Sequence, residues 1–421
     1  HVNPELLFAA TEFGVLFTVD SGGSWTKLSG GVPNIAFRDL AIQTRENDLV
    51  GATFGRSFYV LDDYSPLRDV TAEALSSSSI LFPVRRTHWY VPKRPHSCTT
   101  PGCVDSQGDA YFVAPNPPFG AMFTYYLAEE RKSSKARRGA IEKELAEANE
   151  DVNFPDWDSL DAEALEDEAA IVFVVADEDG TVIRQIEAPA GAGFQRVNWD
   201  LRFPAVDPWV PEDERNPNRS PVGVLAAPGT YRVSMHERID GQLNDLNQQQ
   251  SFEVVSIRAP TLPGGTQAQR IAFQAQVSEI RRAVGGTLKS LEETLAEIGA
   301  IKDTLQHSTA NMSLYSDALS IERGIIGQRD RLSGNQTRGE FSVNRPVSIN
   351  SRLSHAAYNP NTSAHAPTET QRNSLRIAQD IYAEISQELT RLVDVEYAAL
   401  RRSLDDAGVP WTPGRGIVRP N

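Results

Sequence analysis

The eight residues from Thr18 to Trp25, Thr-Val-Asp-Ser-Gly-Gly-Ser-Trp, constrain the fold of this chain more than any other segment. They match the pattern Ser/Thr-x-Asp-x-Gly-x-Ser/Thr-Trp at Thr18, Asp20, Gly22, Ser24 and Trp25. In this pattern Asp20 can accept backbone N–H bonds across a turn, Gly22 permits an unusual φ, and Trp25 can cover the hairpin. The pattern predicts a locked β-hairpin whose aspartate serves the turn and not a reaction.

Residues 1–69 alternate short apolar runs with turn residues, which is the pattern of antiparallel strands. We predict two successive three-stranded meanders, and the hairpin lies in the first. The predicted strands are Leu6–Thr11, Val15–Val19, Trp25–Leu28, Arg38–Gln43, Leu49–Thr53 and Ser57–Leu61.

Residues 70–108 read as a connector that contains an apolar strand at Ile80–Val84 and a loop with both cysteines of the chain. The spacing of Cys98 and Cys103 suits a small disulfide, which would fit an oxidising compartment. Free thiols are the alternative. A zinc site would need more ligands than these two cysteines and His96.

Residues 109–258 return to a β pattern and favour an immunoglobulin-like sandwich. An insertion at 128–169, basic first and then acidic, is predicted to be helical and solvated. The predicted strands are Ala110–Ala114, Ala121–Leu127, Ile171–Ala176, Thr181–Ile186, Phe194–Trp199, Thr230–His236 and Ser251–Ile257.

From Thr266 the apolar residues recur at helical spacing, so residues 266–410 are predicted to form an antiparallel bundle of three long helices. Thr266-x-x-Gln269 and Thr368-x-x-Gln371 have the form of capping boxes. The polar stretch 333–367 is predicted to be a long loop or arm, and residues 411–421 a tail. The fold class is therefore multidomain β plus α.

The run from Asp48 to Asp63, followed by Ser65-Pro-Leu-Arg68, resembles the closing blade of large bacterial sortilin-like proteins with BNR (Asp-box) repeats. Three later segments resemble the same family, namely Asn116–Ala121, Trp199–Arg202 and Ala407–Arg415. The resemblance implies that residues 1–69 are the last blades of a β-propeller, with further blades N-terminal to them. Such proteins are often labelled glycosyl hydrolases by fold analogy, and no catalytic residue of the family carries over to these positions.

No nucleophile, zinc-protease or nucleotide-binding motif occurs in the chain, and we expect no catalytic residue, cofactor or metal in it. Neighbouring carboxylates at Asp62 and Asp63 point apart on a strand, so a turn cap or pairing with Arg56 or Arg68 explains them better than glycoside hydrolysis. Asp200 with Arg202 reads as an ion pair at a domain junction.

A formal charge of −15 and a pI near 5.0 argue against nucleic acid or anionic lipid as the main partner. No apolar run approaches the ~20 residues of a membrane span. The chain opens at His1 without an initiator Met or signal peptide, which suggests a fragment or processed product of a secreted, cell-surface or periplasmic protein.

Four aromatic residues are expected in or beside loops, where they could contact a partner or act as lids over a junction: Trp89, Tyr90, Trp157 and Trp209. Three functions remain open. The first is binding of a protein or glycan ligand through the propeller, with assembly through the other parts. The second is an accessory role in a glycoside hydrolase whose acids lie in other blades. The third is a structural surface component, with the bundle as a contact for homo-oligomers.

Overall fold

The protein is described by a computed structural model that covers residues 1–92, 114, 116–211, 215, 222–258, 265–341, 343, 346–357 and 365–417. The chain forms two compact units. One comprises His1–Tyr90, Ala110–Arg202 and Pro228–Ile257, and is referred to here as the β unit. The other comprises Val91–Asp109, Phe203–Ala227 and Arg258–Asn421, and is referred to as the helical unit.

The β unit begins with two separate three-stranded antiparallel sheets, in the orders β1-β2-β3 and β4-β5-β6. Side chains from both sheets share one core that contains Val15, Phe37, Leu49 and Tyr64. The two predicted meanders are therefore present. Their strands are β1 (Leu7–Thr11), β2 (Gly14–Thr18), β3 (Thr26–Lys27), β4 (Phe37–Gln43), β5 (Asp48–Thr53) and β6 (Phe58–Leu61).

A 3-10 turn at Ser65–Asp69 and the short helix α1 (Ala72–Leu75) lead into a second pair of sheets. One sheet has the order β11-β10-β13-β14-β8 and the other β12-β9-β7. Their strands are β7 (Ser79–Leu81), β8 (Thr87–Trp89), β9 (Ala121–Leu127), β10 (Ala170–Asp177), β11 (Val182–Ala188), β12 (Gly193–Trp199), β13 (Gly229–Ile239) and β14 (Gln242–Ser256).

Aromatic rings fill the space between these two sheets. Phe123 on β9 contacts Phe173 on β10 with ring centroids 5.7 Å apart, and Tyr125 contacts the same ring at 5.1 Å. Trp199 on β12 contacts Tyr231 on β13 at 5.0 Å. All of these rings are buried, so the sheets face each other across an apolar layer.

The segment predicted as a connector supplies two of these strands. β7 pairs antiparallel with β9, and β8 pairs parallel with the end of β14. The predicted strand Ala110–Ala114 lies almost entirely outside the described residues.

The insertion at 128–169 is helical, as predicted, and it contains two helices. They are α2 (Ser134–Glu147) and α3 (Trp157–Leu165), and neither buries a side chain. Arg138 on α2 donates to Glu163 on α3 at 2.7 Å and to Glu142 at 2.6 Å. Ion pairing and capping, rather than an apolar core, therefore hold these helices.

Among the described residues of the helical unit, every helix except the short α6 contributes to a shared hydrophobic core. Both predicted capping boxes are present, at Thr266 and Thr368. The helices are α4 (Gln267–Gln306), α5 (Ser313–Ser333), α6 (Gln336–Glu340), α7 (Ile349–Ala357), α8 (Glu369–Leu389) and α9 (Ala398–Asp406).

The stretch predicted as a polar loop differs from expectation, because it contains α6 and α7. α7 buries Ile349, Leu353 and Ala356, whose spacing places them on one side of a helix. About two turns of apolar contact are too short a signal to stand out from the polar residues around them. The prediction of three long helices was therefore incomplete.

The predicted third helix also differs, because Thr390–Tyr397 is π-helical and separates α8 from α9. Gly408, with a φ of 66°, follows the end of α9 and lets the chain turn there. The tail then contacts α9. The buried Arg415 guanidinium pairs with Asp405 and donates to the carbonyls of Val409 at 3.1 Å and Pro410 at 2.8 Å.

In the described part of the chain, no helix is long and apolar enough to cross a membrane.

Candidate functional site

The Asp-box hairpin, residues Thr18–Trp25, has the geometry that its sequence pattern predicts. Asp20 Oδ1 accepts from the Thr18 hydroxyl at 2.6 Å and from the Ser24 backbone N–H at 2.9 Å. Asp20 Oδ2 accepts from the Ser24 hydroxyl at 2.7 Å. Gly22, with a φ of 97°, donates its N–H to Thr18 Oγ1 at 3.0 Å. A Cβ at Gly22 would lie 3.7 Å from Nε1 of the Trp25 indole.

These hydrogen bonds decide what Asp20 can do. The Thr18 hydroxyl, then the Ser24 backbone and hydroxyl, hold the pKa of the Asp20 carboxyl well below its usual range. Both carboxylate oxygens are occupied within the turn, so Asp20 is a poor proton acceptor at neutral pH. The residue is a structural part of the hairpin.

Asp20→Asn is expected to destabilise the β unit modestly at neutral pH, since the exposed carboxylate is screened by solvent. A lowered folded-state pKa means that the stabilisation is complete above the unfolded pKa, near 3.9, and is lost as the pH falls through the folded value. The difference in urea midpoint between wild type and variant should therefore shrink below about pH 4. A pH-independent difference would contradict this, and Glu12→Gln controls for removal of an exposed charge.

Asp62 and Asp63 are held by arginines of the second pair of sheets. Arg196 on β12 donates from Nη1 to the Asp62 carbonyl at 2.8 Å and from Nη2 to the Asp63 carbonyl at 2.6 Å. Arg85 Nε lies 3.9 Å from Asp63 Oδ2. Burial is the largest of the effects that raise the pKa of Asp62.

The partner arginines predicted from the sequence are not those found. Among the described residues no ion pair joins Arg56 or Arg68 to these carboxylates. Arg68 instead donates to Asn47 Oδ1 at 2.7 Å and to the Tyr64 hydroxyl at 3.1 Å. Sequence proximity suggested Arg68, whereas strand β12 brings Arg196 from far along the chain.

Asp177 and Asp200 also have local structural partners. Asp177 Oδ1 accepts from the backbone N–H groups of Asp179 at 3.1 Å and Thr181 at 2.8 Å, so it closes the β10–β11 hairpin. Arg202 Nε lies 4.0 Å from Asp200 Oδ2. Within the described residues, no group of three or more His, Cys, Asp or Glu side chains could hold a metal ion.

The four aromatic candidates divide into buried and exposed. Trp89 is 6 % exposed and lies within β8, not in a loop, so the expectation of a surface contact does not suit it. Tyr90 is partly exposed and contacts the Phe119 ring at 4.8 Å. Trp157 and Trp209 are 72 % and 75 % exposed, and both remain candidates for contact with a partner.

Cys98 and Cys103 lie outside the described residues, as does His96. Their predicted disulfide stays a prediction.

A cavity of about 680 Å³ in the helical unit was not indicated by the sequence. It lies beside α4 and is lined in part by Gln274, Arg281 and Arg282. Polar residues on one side of a long helix predict a solvated face, and nothing in the local sequence indicates that Phe203–Pro208 lies against it.

Comparisons with protein-family models, with curated proteins and with solved structures gave no match to this chain.

Proposed function

We propose that the protein is a non-catalytic, secreted binding and assembly protein in which residues 1–69 are blades of a larger Asp-box β-propeller. Strands β7–β14 would form an immunoglobulin-like sandwich, and the helical unit an antiparallel bundle. The observation that carries the proposal is the presence of large apolar side chains on both faces of the β4–β6 sheet.

One face of this sheet covers the shared core of the two meanders, through Leu40, Leu49, Tyr59 and Leu61. The opposite face carries Ala41, Val50, Ala52, Phe58 and Val60, and is called the open face. It also carries Asp39, which pairs with Ala52, and the Gln43–Asp48 pair at one end. Strand register places Val50 between Ala41 and Val60, and Ala52 beside Phe58. Phe58 is 68 % exposed and Val60 is 52 % exposed.

An antiparallel sheet at a protein surface normally carries polar residues on its outer side. A second apolar side is typical of a sheet with neighbours on both faces, and propeller blades pack in this way around their axis. The open face therefore favours a further blade of the same protein as its neighbour. The carboxylates of Asp20 and Asp63 accept hydrogen bonds from residues of their own turns, which supports a non-catalytic role for both.

The open face can be tested by cysteine labelling of Val60→Cys in two proteins, the 421-residue chain and the full-length gene product. We expect rapid maleimide labelling in the 421-residue chain and protection in the full-length protein, since a further blade would cover the side chain. Val182→Cys, at an exposed valine on β11, should label in both proteins. Equal reactivity of Val60→Cys in both would remove the support for further blades.

The binding function can be tested with the full-length protein on a glycan array and against a panel of nitrophenyl glycosides and peptides. Binding without turnover is the expected result. Turnover above the uncatalysed rate would contradict the non-catalytic proposal and favour a glycoside hydrolase with this region as an accessory.

A further inference from the structure

The cavity of the helical unit lies between one side of α4 and two extended segments, 203–208 and 222–224. Its volume of about 680 Å³ falls in the range of small-molecule sites, about 300–1,000 Å³. α4 contributes a stripe at helical spacing: Ile271, Gln274, Ala275, Ser278, Arg281 and Arg282.

The wall opposite α4 is apolar and conformationally restricted. It includes Pro204, Val206, Pro208 and Val222. The Phe203 N–H donates to the Val224 carbonyl at 2.9 Å, which ties the two extended segments together. A wall fixed by prolines and by this hydrogen bond is a preformed surface for hydrocarbon.

Gln274 is a polar residue among those that line this cavity. Its side chain is buried, with 7 % exposure, and it lines the cavity. Within the described part of the chain, no hydrogen bond to its side-chain amide is found. Its amide atoms stay accessible to solvent from the cavity, so a ligand hydroxyl or amide group can replace water as their hydrogen-bond partner.

Arg281 and Arg282 give one end of the cavity a positive charge in a chain whose net charge is −15. Asp207 is the carboxylate on the opposite wall, and its Oδ1 lies 4.0 Å from Arg281 Nη2. Arg282 is exposed and forms no ion pair with any described residue. One guanidinium is therefore available for an anionic group.

We propose that this cavity binds an elongated apolar carboxylate with a second polar group, such as an ω-hydroxy fatty acid. The carboxylate pairs with Arg282, the hydrocarbon lies on the proline and valine wall, and the hydroxyl reaches the Gln274 amide. Gln274 and Arg282 are eight residues apart on α4, so they are about 12 Å apart along the helix at 1.5 Å per residue. That separation suits a saturated chain of about eight to ten carbons between the two polar ends.

The test is isothermal titration of the 421-residue chain with 10-hydroxydecanoate, decanoate and decylamine. We expect 10-hydroxydecanoate to bind more tightly than decanoate, and decylamine not to bind. Arg282→Gln should weaken both carboxylates by about tenfold, the expected size for loss of a charge-assisted contact. Arg323→Gln, at an exposed position on α5 outside the cavity, should leave binding unchanged.

Gln274→Leu should abolish the preference for 10-hydroxydecanoate over decanoate, and this ratio is measured within one variant, so a change in stability does not obscure it. Ala275→Trp, at an exposed residue of the stripe, should fill the cavity and abolish binding while the helical circular dichroism is retained. Absence of binding for all probes would overturn the proposal. Equal binding of decylamine, or binding that survives Ala275→Trp, would do so as well.

Discussion

Trp199→Ala is expected to lower the free energy of unfolding by about 3–5 kcal/mol, the range for removal of a large buried aromatic side chain. Trp199 is fully buried at the end of β12, and its ring contacts Tyr231 at 5.0 Å and Phe252 at 6.2 Å. Its Nε1 donates to the Arg202 carbonyl at 3.0 Å, and the variant loses this bond as well. Alanine would leave a cavity in the layer of aromatic side chains through which the two sheets pack.

The measurement is urea denaturation followed by near-ultraviolet circular dichroism, which reports on the packing of aromatic rings. Trp199→Phe is the matched variant, because it keeps one ring in the layer and should lose clearly less stability. A loss below about 1 kcal/mol for Trp199→Ala would mean that the ring layer does not hold the two sheets together.

Gly120→Ala is expected to destabilise the same unit by more than about 3 kcal/mol, because two penalties add. A Cβ on Gly120 would lie 1.9 Å from the Trp199 carbonyl oxygen, so the backbone of β12 would have to move. The φ of Gly120 is 126°, a conformation that L-residues with side chains rarely adopt. Because Ala121 pairs with Trp199, the displacement would reach the first pair of the β9–β12 ladder.

Gly229→Ala provides the matched control at the start of β13, where a Cβ would meet no atom within 4 Å. Its effect should stay within about 0.5 kcal/mol. Thermal unfolding of the three proteins under identical conditions would check both expectations. Similar midpoints for Gly120→Ala and Gly229→Ala would contradict the close approach at Gly120.

Local chemistry explains which parts of the fold were predictable. The Asp-box hairpin depends on side chains within eight residues, and both capping boxes depend on residues three apart. The periods of the long helices α4, α5 and α8 were also recognisable, because each of these helices buries one regular face. These features need no knowledge of distant partners.

Contacts between distant segments were not predictable in this way. β8 is only three residues long and is completed by β14, more than 160 residues later. Arg196 reaches the carbonyls of Asp62 and Asp63 across a similar separation. The cavity beside α4 likewise depends on a segment that precedes the helix by more than 60 residues, and a stripe of Gln, Ser and Arg gives no sign of it.

The π-helical segment Thr390–Tyr397 has a consequence for how the length of this chain can change. Hydrogen bonds from residue i to i+5 accommodate one more residue than an α-helix needs for the same advance. Loss of one residue within Thr390–Tyr397 would restore α-helical bonding and leave Leu400 and Leu404 facing the core. The same loss within α8 would turn the following residues by about 100° and expose them. Insertions and deletions of a single residue among descendants of this sequence should therefore concentrate at that segment.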